Sequence, residues 1–216
     1  MGDILVRELP LFPLPEVVLF PNEVLPLHIF ESRYRIMLKS VLETDSLFGV
    51  VKWDTNSKSM ANVGCCAHVI KHQTTDDGRS NIITIGQQRF QILEIIRSTP
   101  YYSAMVSWID DNCIEDLKNL DLLRDSVTDA LNDVVNLTSK LTNSQKVLPE
   151  KLPNNPLDLS FWIGAHLGGP VADEQQRLLE ERDTYNRLQR EYEMLDHTRK
   201  QLAARTVLKE SFPDGK

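Results

Sequence analysis

The segment CCAHVIKH, residues 65–72, gathers the side chains best suited to ligate a metal or carry a nucleophile. On an extended strand, residues two apart share a face. Cys66, His68 and His72 would then line one side, with Cys113 a distant fourth candidate. Structural zinc is usually held by paired knuckles such as C-x-x-C and H-x3-H, and here the pairing is irregular and single. A Cys–His nucleophile needs an orienting acid or a helix N-terminus to draw the thiol pKa down, and the flanking sequence supplies neither. The segment therefore reads as a half-buried cysteine beside polar surface histidines, with no metal and no cofactor expected. Walker A, G-x-G-x-x-G, G-x-S-x-G and H-E-x-x-H patterns are absent. No ATP hydrolysis, hydride transfer or peptide cleavage is expected, and the chain is not read as an enzyme.

The elements around this segment are short strands. LFGVVKW (residues 47–53) reads as one, and NVGCCAHVIKHQTTDDGRSNIITIGQQRFQILEII as a hairpin turning at Asp77-Gly78. Gly86 marks a bend or bulge in its second arm, with Phe90 turned inward. YYSAMVSWID (residues 101–110) is a further strand. Upstream, residues 9–38, LPLFPLPEVVLFPNEVLPLHIFESRYRIML, combine an aliphatic run with Pro10, Pro13, Pro15, Pro21 and Pro26. Proline lacks a backbone donor, so this stretch predicts short extended pieces (EVVLF and EVLPLHIF, joined by a Pro21-Asn22 turn), with Pro26 on a sheet edge or bulge. The spacing of Phe30, Tyr34, Met37, Leu38 and Val41 then predicts an amphipathic helix from Glu31 to about Glu43. Glu31, Arg33 and Arg35 at its start read as a cap or a solvated salt bridge. Trp53, Trp108 and Trp162 are scattered and read as packing residues.

After Asp111 the pattern becomes helical. Leu117, Leu120, Val127, Leu131, Val134 and Val135 keep helical spacing from Asp116 to about Lys140. A polar, proline-bearing connection follows, and then a short apolar helix over residues 157–167 that stops at Gly168-Gly169-Pro170. Residues 173–206 form a charged helical stretch in which Leu178, Tyr185, Leu188, Tyr192, Leu195 and Leu202 nearly keep a heptad. Asp183 suits the start of a new helix, so a break is expected near Arg182–Thr184. Beyond it, Arg187, Gln189, Arg190 and Glu193 are expected on the water-facing side. The fold class is α+β, with a boundary near residues 111–115.

The 216 residues carry a net charge of −7 and 41% hydrophobic residues, enough for a sizeable core without a metal or disulfide staple. The acidic balance counts against broad nucleic-acid or anionic-membrane binding. Three cysteines without regular spacing point to a reducing compartment. The opening MGDILVRELP has no signal-peptide pattern, Val6 breaks the myristoylation pattern, and no run reaches membrane-span length, so a cytoplasmic location is expected.

Residues 9–38 resemble the opening of the LON substrate-binding domain, the N-terminal domain of the Lon ATP-dependent protease. The resemblance continues in order through the VG strand at Val63-Gly64, the Asp77-Gly78 hairpin, the G-x-x-R-F-x-I strand from Gly86 to Ile92, YYSAMVSWIDD, and LLEERDTYNRLQREYEML, so that it spans about Leu9 to Leu195. It implies a PUA-like β-pseudobarrel with one early helix, followed by a C-terminal helical bundle. In domain terms that gives a barrel subdomain over 1–111, a helical subdomain over 112–206 and a short tail over 207–216. The ATPase and Ser-Lys peptidase modules of Lon have no counterpart motifs here, so the likeness is to small stand-alone LON-domain proteins. In the protease this domain is associated with recognising unfolded or tagged polypeptides.

The resemblance implies a non-catalytic protein- or peptide-binding module: an adaptor, a chaperone-like factor or a regulator of proteolysis. Its partners would be unfolded or specific client proteins, with a protease or an assembly complex a further candidate. It would act as a monomer or weak dimer, without nucleic acid or membrane. An RNA-binding PUA-like module and a Cys/His-dependent enzyme are the alternatives. Phe20, Pro21, Leu25 and Phe30 are the candidate peptide contacts, because this stretch has more apolar residues than one barrel wall needs; Leu25 and Phe30 also suit the core. Tyr185, Leu188, Tyr192 and Leu195 form an apolar stripe that either folds back on the helices or meets a partner.

Overall fold

The computed structural model describes residues 6–113, 116–142, 148, 152–168 and 171–211. Residues 1–5, most of the connection after Thr142, the Gly169-Pro170 helix stop and the tail from 212 onward, all touched by the expectations above, lie outside them. The strands are β1 (Val6–Pro15), β2 (Val24–Ile29), β3 (Leu47–Asp54), β4 (Ser59–Met60), β5 (Val63–Thr74), β6 (Ser80–Arg97) and β7 (Tyr102–Ile109). The helices are α1 (Ser32–Leu42), α2 (Leu117–Thr142), α3 (Pro156–His166), α4 (Ala172–Glu180) and α5 (Thr184–Ser211). None of the described helices is long and apolar enough to cross a membrane.

The prolines of the opening stretch find an unexpected place. β1 runs straight through Pro10 and Pro13, whereas EVVLF is not a strand. The register explains this. Residues 6–11 of β1 pair antiparallel with β7, and residues 11–15 pair parallel with β3. Pro10 opposes Ser103 and Pro13 opposes Val51, so each proline has a strand on one side only. Its missing N–H can face the unpaired side.

This double use of β1 closes the sheet. The order β1-β7-β6-β5-β3 returns to β1 through the parallel β1–β3 pair, which gives a ring of five strands. Among the described residues, β4 pairs only with β3, and β2 pairs only with the first half of β6. Alternation splits the buried side chains between two faces. Leu9, Leu11, Val51, Cys66, Phe90, Ala104 and Val106 form one cluster. Phe12, Phe48, Val50, Cys65, Ala67 and Ile82 form the other, together with Tyr34, Met37, Leu38 and Val41 of α1. Adjacent Cys65 and Cys66 thus belong to different cores, as a strand requires.

Gly86 sits where β5 and β6 lose register: Cys65 opposes Arg89 while Ala67 opposes Gly86. Its carbonyl accepts from Asn22 N at 2.8 Å and its N–H donates to Glu23 O at 2.8 Å. A Cβ here would collide with the Phe20 carbonyl. The bend expected at this glycine is therefore also a point of close backbone approach.

The chain groups into two compact units, Met1–Asp111 with Phe161–Arg182, and Asn112–Ser160 with Asp183–Lys216. The helical portion expected as one subdomain over 112–206 is thus divided. Phe161–Arg182 joins the barrel because it is anchored there. The buried Arg89 guanidinium donates to the carbonyls of Leu179 (2.6 Å) and Glu181 (2.7 Å) and pairs with Asp111. Gln176 Nε2 donates to Val63 O at 3.0 Å, and Lys52 pairs with Asp173.

In the second unit α2 and α5 pack in parallel. Arg199 reaches Asp133 (3.2 Å), and ten residues further along α5 Lys209 reaches Leu141 O (3.0 Å). Asp183 caps α5, its Oδ1 accepting from Tyr185 N (2.8 Å) and Asn186 N (3.1 Å). The break expected near Arg182–Thr184 falls there.

Candidate functional site

The Cys/His segment does not assemble. A register shift between Val69 and Lys71 leaves Ile70 unpaired, and the extra residue inverts the alternation beyond it. His68 opposes Ile85, but His72 opposes the buried Ile82, so the two histidines face opposite sides of the sheet. His72 lies within 3.3 Å of Ser80 Oγ and 3.2 Å of Thr74 Oγ1. Burial pushes the Cys66 thiol up to about 12, with the Arg7 charge opposing that rise, and burial drives Cys65 well above its ordinary value. Both thiols are held protonated and cannot act as nucleophiles near neutral pH. Cys113 is exposed and groups with the second unit. Among the described residues no three His, Cys, Asp or Glu side chains are placed to hold a metal ion.

The apolar candidates of the opening stretch divide sharply. Phe20 is fully buried, its ring 6.4 Å from that of Phe161 and seated against Gly164 of α3, where any Cβ would strike it. It is a core residue and has no face to offer a peptide. The reason lies in α3: Phe20 is covered by Phe161 and Gly164 of a helix more than a hundred residues away in sequence. Pro21 and Leu25 are half-buried, and Leu25 packs against the α1-side core. Phe30, which also suited the core, is 59% exposed and stacks on His28 with ring centroids 6.1 Å apart.

Phe30 ends a continuous surface. β2, β6 and β5 place Val24 beside Ile85 and His68, Pro26 beside Ile83 and Lys71, and His28 beside Asn81 and Gln73. Val24 is 56% exposed, Ile83 and Ile85 are half-buried, and unpaired Ile70 is exposed. The surface is aliphatic at the Val24 end and polar at the other, where His28 Nδ1 lies 2.7 Å from Asn81 Oδ1. A depression of about 530 Å3 opens there beside Lys71, Gln73 and Ile83. The outer edge of β2 has no partner strand among the described residues. Because Gly86 N–H donates to Glu23 O, alternation turns the backbone groups of Val24, Pro26 and His28 away from β6. Proline at the centre of that edge removes one donor and blunts it against indiscriminate pairing.

The apolar stripe on α5 is closed. Leu188 is fully buried, Leu195 is buried and Tyr192 is half-buried, which leaves Tyr185 as its one exposed member. Arg187, expected to face water, is buried, with Nε donating to Ser160 Oγ at 2.8 Å. Helical spacing had placed it beside Leu188 but could not show which flank the neighbouring helices cover.

Comparison with known proteins agrees with this architecture. A Lon protease from Anaeromyxobacter dehalogenans is 26% identical over 197 residues, and Lon protease 2 of Myxococcus xanthus is 25% identical over the same length. Each alignment covers 88% of this chain, which spans 23% of the first relative and 24% of the second. Among solved structures, a Lon N-terminal domain protein from Xanthomonas campestris superposes with a TM-score of 0.62 at 23% identity, over 85% of this chain and 96% of that one. The N-terminal domain of a Mycobacterium avium complex Lon protease superposes at 0.65 with 15% identity, over 88% and 98%. Residues 8–197 match the family model, so the chain belongs to the ATP-dependent protease La (LON) substrate-binding domain family.

Proposed function

We propose that this chain is a non-catalytic recognition module that holds extended segments of unfolded or tagged client proteins on the open edge and outer face of β2, as an adaptor, chaperone-like factor or regulator of proteolysis. The observation that carries the reading is the edge of β2, without a partner strand among the described residues and flanked by exposed Val24 and Phe30. An incoming strand would meet the outward backbone groups of Val24 and His28, while its alternate side chains settle beside Val24 and Phe30. The missing donor at Pro26 keeps such an edge weak, which suits transient capture and release. The buried, protonated thiols and the missing nucleotide and nucleophile motifs support a role without turnover.

The test is fluorescence anisotropy with a labelled, permanently unfolded polypeptide whose C-terminus is amidated. The wild-type chain is expected to bind. Val24→Asp and Phe30→Asp, both at exposed positions, are expected to weaken binding about tenfold or more without lowering Tm, since a charge cannot settle against an apolar client side chain. No binding by the wild type, or equal binding by both variants, would sink the reading.

A further inference from the structure

On the opposite side of the β5–β6 hairpin from that face, α1 and the hairpin enclose a second concavity of about 780 Å3. Its floor is aliphatic, built by the buried Leu38 and the partly buried Leu42. Its rim carries two cations, Arg35 and Lys39, and one carboxylate, Glu43. Arg35 and Lys39 stand one helical turn apart on α1, and neither closes an ion pair with a described residue. The hairpin turn positions one of them. Gly78 has φ +76°, and the Arg35 guanidinium occupies the space a side chain there would take. The hairpin wall adds His72 and the Ser80 hydroxyl, polar groups within 3.3 Å of one another.

We infer that this groove takes the free C-terminus of a polypeptide ending in an apolar residue. The α-carboxylate and the last side chain branch from a single Cα, so a charge and an apolar group arrive together. Arg35 and Lys39 flank Leu38 on the same helix in the same way. An internal Asp or Glu brings the charge without the adjoining apolar group. A fatty acid brings both but leaves its chain along an open groove. A peptide backbone also carries donors and acceptors toward the polar wall, where His72 and Ser80 already lie within 3.3 Å of one another. This inference rests on the reading of the chain as a polypeptide-binding module, but it uses residues outside the β2 face.

The experiment compares a short labelled peptide ending in Leu-Leu as its free acid and as its amide, against the wild-type chain and Arg35→Ala/Lys39→Ala. Both cations are exposed, and unchanged Tm of the double variant checks that the fold is kept. The free acid is expected to bind the wild type about tenfold more tightly than the amide, because a charge-assisted pair is lost on amidation. The double variant is expected to erase that preference and leave amide binding as it was. Equal binding of acid and amide by the wild type overturns the inference while leaving the β2 reading intact. Failure of both peptides and of the unfolded polypeptide overturns both. Competition by octanoate as strong as by the free acid would show that an aliphatic carboxylate, rather than a chain end, is what the groove reads.

Discussion

At single residues, the structure turns two sequence signals into quantitative expectations. Gly86 has no room for a side chain because the Phe20 carbonyl occupies the position of its Cβ. Gly86→Ala must therefore displace backbone on both β6 and the Phe20–Glu23 turn, and it is expected to cost about 3 kcal/mol in urea unfolding. A variant as stable as the wild type would show that the contact yields freely. The cysteines give a second expectation. Cys65 and Cys66 are buried with thiol pKa values driven up, whereas Cys113 is exposed. Iodoacetamide at neutral pH should modify Cys113 alone in the native protein and all three cysteines after denaturation, counted by mass spectrometry. Native labelling of Cys66 would contradict the packing described for β5.

At the level of elements, the most local signals were the most legible. The Asp77-Gly78 turn, the α1 stripe of Tyr34, Met37, Leu38 and Val41, and the Asp183 cap all follow from neighbours a few residues apart, and each is where its sequence places it. Asp183→Ala should destabilise the α5 start by about 1 kcal/mol, read as a lower urea midpoint with unchanged slope, because two N–H groups lose their acceptor. No change in midpoint would mean that water replaces the cap at no cost. What escaped the sequence depends on distant partners. β1 continues through its prolines because two different strands each cover half of it. His68 and His72 part company because Ile70 is bulged out, a feature that period-2 reasoning cannot foresee. Among the candidate peptide contacts, the core and surface members are not the ones the sequence suggested. Phe20 is buried by α3 and Phe30 is left outside, and nothing within residues 16–30 says which of the two a later helix will cover.

At the scale of the whole chain, global stability should carry the signature of one buried acid in the second unit. Glu191 of α5 is fully buried, and neither carboxyl oxygen has a hydrogen-bond partner among the described residues. Burial pushes its pKa well above the carboxylate range, and the charge of Arg187 offsets only part of that rise. The folded chain therefore binds the Glu191 proton more tightly than the unfolded chain, whose carboxylate titrates near about 4.3. The corresponding stability is fully present below that unfolded value and is lost as pH rises through the folded one. Replacing the acid by an apolar residue of similar bulk removes both the proton requirement and two unsatisfied oxygens. Glu191→Leu is thus expected to exceed the wild type in unfolding free energy, by a margin that widens from acid toward alkaline pH. Taking the difference between the two proteins at each pH cancels the titrating groups that do not interact with Glu191, and leaves its own titration together with its coupling to Arg187. A margin independent of pH would show that Glu191 does not change its protonation on folding. A margin that narrows with rising pH would show that the carboxylate is stabilised in the fold, and that Arg187 rather than desolvation governs this part of the helical unit.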